Sequence, residues 1–242
     1  MAARAPAVGS HEAARRATGT RRRYGVYEAR TSGLIPHGNA KPPPIPPRRL
    51  FIRSSRLTDA GLDELLRRWL PGYDPWRDAG ECVLDRDAAK RAIGFFPHRL
   101  RHTEGALAGR PMRLEPWQRS FVGNLFGWKR PDGTRRYRTA LLYVARGNGK
   151  STLCAGLELK LLLDDEEPGA QVYSAAGKKE QAAIIYRVAS RMAAQDPELR
   201  RRIRFREHAK VLIFREPGGL ESFYKALAAD AKLEHGLSAS GA

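Results

Sequence analysis

A short glycine loop between an apolar segment and an apolar helix constrains this chain more than any other feature. Ala140–Val144 has the apolar character of a buried strand, and Lys150–Leu163 is predicted to be a helix. Gly147, Asn148 and Gly149 lie between them. Glycine allows a tight turn and lets the backbone approach an anion that side chains would keep away. A strand, a glycine loop and a helix N-terminus in this order predict a phosphate-binding loop.

The loop residues suit a nucleoside triphosphate with Mg²⁺. Lys150 can reach the β- and γ-phosphates, and the Ser151 hydroxyl can hold Mg²⁺. The loop departs from the pattern G-x-x-x-x-G-K-[ST] at one place, because Val144 stands where the first glycine belongs. The alternative is a glycine-rich turn without a ligand. We predict ATP binding by the loop residues Gly147, Asn148, Gly149, Lys150, Ser151 and Thr152.

Gln118 is a candidate contact for the base of the nucleotide. It lies some 30 residues before the loop, in Glu115-Pro116-Trp117-Gln118. Its amide offers a donor and an acceptor together, which suits the adenine edge. The alternative is an ordinary residue on a helix surface.

The charge of the chain predicts a polyanionic partner, nucleic acid before membrane. The 44 Lys and Arg outnumber the 26 Asp and Glu, which gives a net charge of +18. Cys82 and Cys154 cannot form a disulfide framework, and His98, His102, His208 and His235 show no metal-ligand spacing. No apolar run approaches the ~20 residues of a membrane span, so we expect a protein without membrane association.

Composition divides the chain into three parts. Residues 1–56 carry twelve Lys and Arg against Glu12 and Glu28, together with a proline run at 42–47. We predict that this arm is disordered and contacts DNA or a partner protein; a solvated tail without a role is the alternative. Residues 57–112 are expected to form a small helical adaptor. Residues 113–242 are expected to form the nucleotide-binding part.

The hydrophobic pattern predicts an α/β fold. Beyond the loop, strands alternate with helices, which favours a P-loop sheet that is largely parallel and has helices on both faces. The first predicted helix has Thr58 as N-cap and runs to Trp69, and the second runs from Asp85 or Asp87 to Phe96, where Pro97 stops it. The others run from Pro116 to about Trp128, from Lys150 to Leu163, and from just after Gly177 to about Ala194. The predicted strands are Ala140–Val144, Gln171–Ser174, Lys210–Phe214 and Ser222–Leu227.

Two families of motors use a loop that lacks the first glycine. Helicases of the second superfamily carry a small residue before G-x-G-K-T, whereas Arg146 stands there in this chain. An arginine at that position resembles the phosphate loop of large-subunit terminases, which pump viral DNA into capsids. Both families place a glutamine such as Gln118 before the loop, so Gln118 supports ATP without separating them.

The collinear series of motifs resembles the large terminase of HK97-type tailed phages. The likeness extends over roughly residues 80 to 242 and leaves out the basic arm. It rests on His102–Gly105, Leu114–Gln118, Asn124–Trp128, Arg146–Ser151, Tyr173–Ala176 with Gln181-Ala182, Phe223–Leu227 and Gly236-Leu237.

This resemblance implies a function and a set of partners. Arg146 and Lys150 would be catalytic, with Arg146 acting on the γ-phosphate in cis; a surface ion pair is the alternative for Arg146. ATP and Mg²⁺ would be the ligands, and double-stranded viral DNA the substrate. The small terminase subunit, the capsid portal and further copies in a ring would be partners. The site of action would be the cytoplasm of an infected or lysogenic bacterium, where the motor docks on procapsids.

One required element is missing from the predicted ATPase. A motor of this type needs a strand that ends in Asp-Glu, to order Mg²⁺ and to polarise water. The acidic run Asp164–Glu167 continues the helix that starts at Lys150, about 20 Å from the phosphates at 1.5 Å per residue. We therefore interpret this run as a solvated helix end. By resemblance the acidic strand and a nuclease domain would follow Ala242, so we expect an incomplete ATPase that is inactive alone. The alternatives are a helicase-like ATPase and a non-enzymatic, basic nucleic-acid-binding relic of a prophage gene.

Overall fold

The computed structural model describes residues 57–68, 70, 73–165, 167–176, 179–216, 219–228 and 239–241. The predicted basic arm, residues 1–56, and Trp69 lie outside the described residues. The helices are α1 (Asp59–Arg68), α2 (Arg86–Arg99), α3 (Pro116–Gly127), α4 (Lys150–Asp164), α5 (Lys179–Gln195) and α6 (Pro197–Arg202). The strands are β1 (Val83–Leu84), β2 (Trp128–Lys129), β3 (Gln171–Ala176), β4 (Ile203–Arg206), β5 (Val211–Arg215) and β6 (Glu221–Ala228).

The helix starts follow the capping residues that the sequence supplies. The Thr58 hydroxyl accepts the Gly61 N–H at 3.2 Å at the start of α1. Asp85 accepts the Ala88 N–H at 2.8 Å and caps α2. Pro116 occupies the first turn of α3, where its missing N–H costs nothing. These three predicted starts are confirmed.

The predicted stop at Pro97 is wrong, because α2 runs on to Arg99. A proline in the last turn of a helix removes one backbone hydrogen bond, and the helix here ends two residues later. The Leu100 N–H bonds to the Phe96 carbonyl at 2.8 Å and closes that turn. Leu100 itself is fully buried, so packing holds the end of α2 in place.

The main sheet is mixed rather than largely parallel. Its strand order is β3-β6-β5-β4, with β3 and β6 parallel and the other two pairs antiparallel. The links from β4 to β5 and from β5 to β6 contain four and five residues, which is too short for the crossover that parallel strands need. The α/β class is confirmed, whereas the sequence missed β4, the strand that makes this edge antiparallel.

The two long helices that follow the loop pack on one face of this sheet. Tyr224 of β6 stacks on Tyr186 of α5, and Leu159 of α4 belongs to the same buried cluster as these two tyrosines. Both helices therefore lie on the face that carries Tyr224. The prediction of helices on both faces is not met by the described residues, where α4 and α5 share one side.

The segment Ala140–Val144 does not form the predicted strand. Its residues have no regular secondary structure, and Leu141 and Tyr143 are 87% and 95% exposed. A strand is stable only with a neighbour to accept and donate its backbone hydrogen bonds, and no described segment pairs here. On β3, the edge opposite β6 carries the 239–241 segment instead, through the Tyr173 N–H to Gly241 carbonyl bond at 2.8 Å.

The predicted adaptor helices share a core with the loop-bearing helix. Leu62 and Leu66 of α1, Phe96 of α2 and Leu153 of α4 belong to one buried cluster. Gly156 of α4 lies so close to α2 that an added Cβ would be 2.5 Å from the ring of Phe96. This packing fixes α4, and with it the glycine loop, against the N-terminal helices.

Candidate nucleotide-binding site

The loop before α4 has the backbone that its glycines were predicted to provide. Gly147 and Gly149 have φ values of 90° and 70°, in the left-handed region that side chains disfavour. Gly149 is the N-cap of α4, and its carbonyl accepts the Leu153 N–H at 2.9 Å. The first N–H groups of α4 have no partner within the helix, so they are available to an anion.

Lys150 folds back over the loop that precedes it. Its Nζ donates to the Val144 carbonyl at 2.8 Å and to the Ala145 carbonyl at 2.9 Å. The Asn148 side-chain amide donates to the same Ala145 carbonyl at 3.2 Å. The ammonium group thus lies at the mouth of the loop, where a phosphate would replace neutral carbonyl partners with charged oxygens.

Arg146, Ser151 and Thr152 accompany Lys150 at this end of the helix. Arg146 and Ser151 are exposed, and Thr152 is half-buried. Among the described residues no carboxylate lies within ion-pair distance of Arg146. The alternative of a surface ion pair for Arg146 therefore finds no partner in the described part of the chain.

Gln118 lies against the loop, and its two amide atoms have different surroundings. Its Oε1 accepts the Glu115 N–H at 2.9 Å as part of a capping box at the start of α3. Its Nε2 lies 3.9 Å from the position that a Cβ on Gly149 would take. The side chain is 8% exposed. The structure therefore brings Gln118 and the glycine loop together, with the oxygen engaged in the cap and the NH₂ group facing Gly149.

The donor set of the loop fits a nucleotide phosphate better than a free metal ion. It offers an ammonium group, helix N–H groups and the Ser151 hydroxyl, all suited to phosphate oxygens. In the described residues no cluster of three His, Cys, Asp or Glu could hold a metal. Mg²⁺ would therefore arrive with the nucleotide and take the Ser151 hydroxyl as its ligand from the loop.

The acidic run at the end of α4 forms structural ion pairs. Asp164 pairs with Lys160 at 3.1 Å, and Asp165 pairs with Arg135 at 2.8 Å. Burial raises the pKa of Asp165, and the charges of Lys160 and Arg135 act in the opposite direction. The run was expected to be a solvated helix end; Asp164 and Asp165 are instead half-buried and paired. Glu166 lies outside the described residues.

Glu158 is a buried group that sequence reasoning missed. It lies in α4, is 7% exposed, and its Oε2 has no hydrogen-bond partner among the described residues. Burial raises the pKa of Glu158 to about 8. Burial also raises the pKa of Cys154, one turn closer to the loop, and the charge of Glu158 adds to that effect. A lone carboxylate among the leucines of this helix was the available signal.

Comparison with known proteins identifies the loop-bearing region. Residues 116–215 match the family model described as the terminase large subunit, ATPase domain. This stretch is similar to that ATPase domain. The match covers Gln118, the whole glycine loop and the strands up to β5.

The HK97 large terminase agrees with this assignment both in sequence and in structure. The terminase large subunit of Enterobacteria phage HK97 is 39% identical over 150 residues, which are 62% of this chain and 28% of the phage protein. The crystal structure of the HK97 bacteriophage large terminase matches with a TM-score of 0.51 and 35% sequence identity. That match covers 62% of this chain and 29% of the solved one. The chain thus spans less than a third of the length of the terminases that it matches.

None of the described helices is long and apolar enough to cross a bilayer.

Proposed function

We propose that this chain carries the ATP-holding part of a phage DNA-packaging motor. The observation that supports it most is the match of residues 116–215 to the terminase ATPase family, with an intact glycine loop at the start of α4. Lys150 would bind the β- and γ-phosphates, and Arg146 would stabilise charge on the γ-phosphate. Mg²⁺ supplies charge neutralisation between the phosphates when it is bound.

Gln118 would bind the adenine through its free NH₂ group. The capping box holds the side chain in one orientation, since Oε1 already accepts the Glu115 N–H. A rigid donor next to Gly149 would recognise a ring-nitrogen acceptor of the base. Adenine would be selected over guanine if this acceptor is N1, which is unprotonated in adenine and carries a proton in guanine; N7 accepts in both bases.

We further propose that this chain binds ATP but does not turn it over at the rate of a motor. None of the strands β1–β6 ends in Asp-Glu, the pair that would order Mg²⁺ and polarise water. In the complete motor, ATP hydrolysis would drive the translocation of double-stranded DNA. The partners would be the small terminase subunit, the portal and further copies of the chain in a ring. The work would take place in the host cytoplasm at a procapsid.

A thermal-shift panel tests the nucleotide claim. Ligand at ten times its dissociation constant adds about 1.4 kcal/mol of stability, which raises the Tm by about 3–6 °C for a chain of this size. We expect that shift with Mg-ATP, a smaller one with Mg-GTP, and neither with Lys150→Ala. Equal shifts with ATP and GTP would refute the role of Gln118, and no shift with either would refute the site.

A phosphate-release assay, with and without duplex DNA, tests the claim about turnover. We expect no DNA-stimulated release above the Lys150→Ala background. Brisk release that Lys150→Ala abolishes would show that the carboxylate that polarises the attacking water is already present in this chain.

A further inference from the structure

The segment from α6 to β5 concentrates positive charge. Residues 197–215 contain seven Lys and Arg against Glu198 and Glu207. Part of this charge is neutralised within the fold. Glu198 lies between Arg99, at 2.7 Å, and Arg202, at 3.3 Å.

Four arginines of this segment remain exposed. None of them lies within ion-pair distance of a carboxylate among the described residues. We name these four the α6–β4 basic surface: Arg200, Arg201, Arg204 and Arg206.

The backbone under this surface is held firmly. Asp196 caps α6 by accepting the Glu198 and Leu199 N–H groups at 2.8 and 3.1 Å. The Leu199 side chain is fully buried, and Arg99 ties α6 to α2 through Glu198. The four guanidinium groups therefore project from a rigid base, which limits the entropy lost when they bind.

The two arginines of β4 point to the same side of the sheet edge. β4 is the last strand in the order β3-β6-β5-β4, and Ile203 and Phe205 take the alternate positions toward the core. Arg204 and Arg206 are therefore about 7 Å apart along the strand. The backbone from Arg200 to Arg206 has a contour of at most about 15 Å, so the four arginines lie within reach of neighbouring phosphates of one duplex.

The chemistry of this surface suits the phosphates of a duplex. Arginine binds phosphate through a planar fork of donors, whereas bases of single strands are bound by stacking on aromatic rings. The exposed aromatic side chains of the described residues, Tyr73 and Tyr143, belong neither to α6 nor to β4. We propose that the α6–β4 basic surface binds the phosphate backbone of double-stranded DNA without reading its sequence.

The choice of a duplex as the ligand rests on the proposed function, whereas the exposed, unpaired arginines are observed independently of it. It lies on different elements from the glycine loop, so its variants leave Lys150 and Ser151 untouched. A competing explanation is that charged residues protect the edge strand β4 from pairing with another copy. Another is an acidic protein partner.

Salt-dependent duplex binding by the full chain tests the proposal. Fluorescence anisotropy with a random 30-base-pair duplex, between 50 and 200 mM salt, compares the wild type with a variant that changes all four arginines of the surface to glutamine. A matched control changes four exposed arginines of α2 and the 101–113 loop that are likewise unpaired in the described residues: Arg91, Arg101, Arg110 and Arg113. Both variants lose the same net charge.

We expect the slope of log K against log salt to fall by about 3 to 4 in the surface variant, at ~0.9 for each lost contact. The control should change the slope by less than 1, and the double variant Arg204→Gln/Arg206→Gln should lose about half of the effect. Equal losses in surface variant and control would overturn the proposal. A surface variant that keeps its duplex affinity would also overturn the proposal. Self-association of that variant would then support protection of the edge strand, and a loss of affinity for an acidic protein would support a protein partner.

The Mg-ATP thermal shift, measured on the same three proteins, separates this proposal from the proposed function. A surface variant that loses duplex binding and keeps the ATP shift supports both. If the wild type shows an ATP shift but the surface variant binds duplex DNA unchanged, only the assignment of the surface is overturned. A wild type that binds DNA through the surface but shows no ATP shift overturns only the nucleotide site.

Discussion

Glu158 allows a sharp test of how the loop-bearing helix is packed. The carboxyl group is 7% exposed, and its Oε2 lacks a partner among the described residues. Burial raises its pKa from the ordinary value of 4.5 to about 8. The folded protein therefore holds a proton on Glu158 at neutral pH, whereas the unfolded chain has released it.

The sign of the pH effect follows from this difference. Between pH 4.5 and about 8 the folded state binds more protons than the unfolded state, so the free energy of unfolding falls as the pH rises. At 1.36 kcal/mol for each pKa unit, the difference in pKa between the folded and unfolded states lowers the free energy of unfolding by about 5 kcal/mol in total. About 3 kcal/mol of this is lost by pH 7. Glu158→Gln removes the titrating group and keeps the shape of the side chain.

Urea denaturation at pH 5, 7 and 9 measures the effect. The difference in the free energy of unfolding between Glu158→Gln and wild type cancels the contributions of groups that both proteins share. We expect this difference to move in favour of the variant by several kcal/mol from pH 5 to pH 9. The control Glu81→Gln, at an exposed site, should show a constant difference. A pH-independent difference for Glu158→Gln as well would refute the buried, protonated carboxyl.

Three further substitutions test the loop and its support. Gly149→Ala forces alanine to a φ of 70°, at a cost of roughly 1–2 kcal/mol, and should weaken ATP binding about tenfold in a titration. The control Gly109→Ala, at a φ of 77° outside the loop, should leave the affinity for ATP unchanged. Gly156→Ala places a Cβ 2.5 Å from the buried ring of Phe96 and should lower the free energy of unfolding in urea by about 1–3 kcal/mol; an unchanged midpoint would show that α2 and α4 can separate freely. Lys160→Met leaves the carboxylates at the end of α4 without their buried ammonium partner and should lower the free energy of unfolding by roughly 3 kcal/mol in the same assay. This loss should shrink in acid, where carboxylates are protonated, if the ion pairs are its cause.

Local signals in the sequence were enough to predict the helices that frame the site. Capping by Thr58 and Asp85 and the proline start of α3 are decided within one turn, so the neighbouring residues contain the information. The glycine positions of the loop belong to the same class, because glycine is the residue that tolerates the positive φ found at Gly147 and Gly149. The start of α4 at Lys150 followed from them.

Pairing between strands could not be predicted in the same way. Ala140–Val144 is apolar enough for a strand, but whether it becomes one depends on a neighbour elsewhere in the chain. β4 escaped prediction because Arg204 and Arg206 reduce its apolar character to two alternate residues. That omission hid both the antiparallel edge of the sheet and the basic surface on it.

The partners of charged side chains were equally beyond sequence reasoning. Asp165 pairs with Arg135, 30 residues away, and Gln118 lies near a loop that begins about 30 residues later. Such proximity is set by how distant segments of the chain pack, not by their spacing along it. The resemblance to terminases predicted that Gln118 and the loop act on the same nucleotide. The part that Gln118 plays in the capping box of α3 is visible only in the structure.

Calorimetric titration of Mg-ATP into the wild type and Lys150→Ala tests the central claim most directly, with Arg110→Ala as a control of equal charge loss. If the loop before α4 holds the phosphates, the wild type and the control will bind one ATP per chain with similar affinity, and Lys150→Ala will bind at least tenfold more weakly. Equal affinity in wild type and Lys150→Ala, or no binding by the wild type, would contradict the assignment of this loop as the nucleotide site.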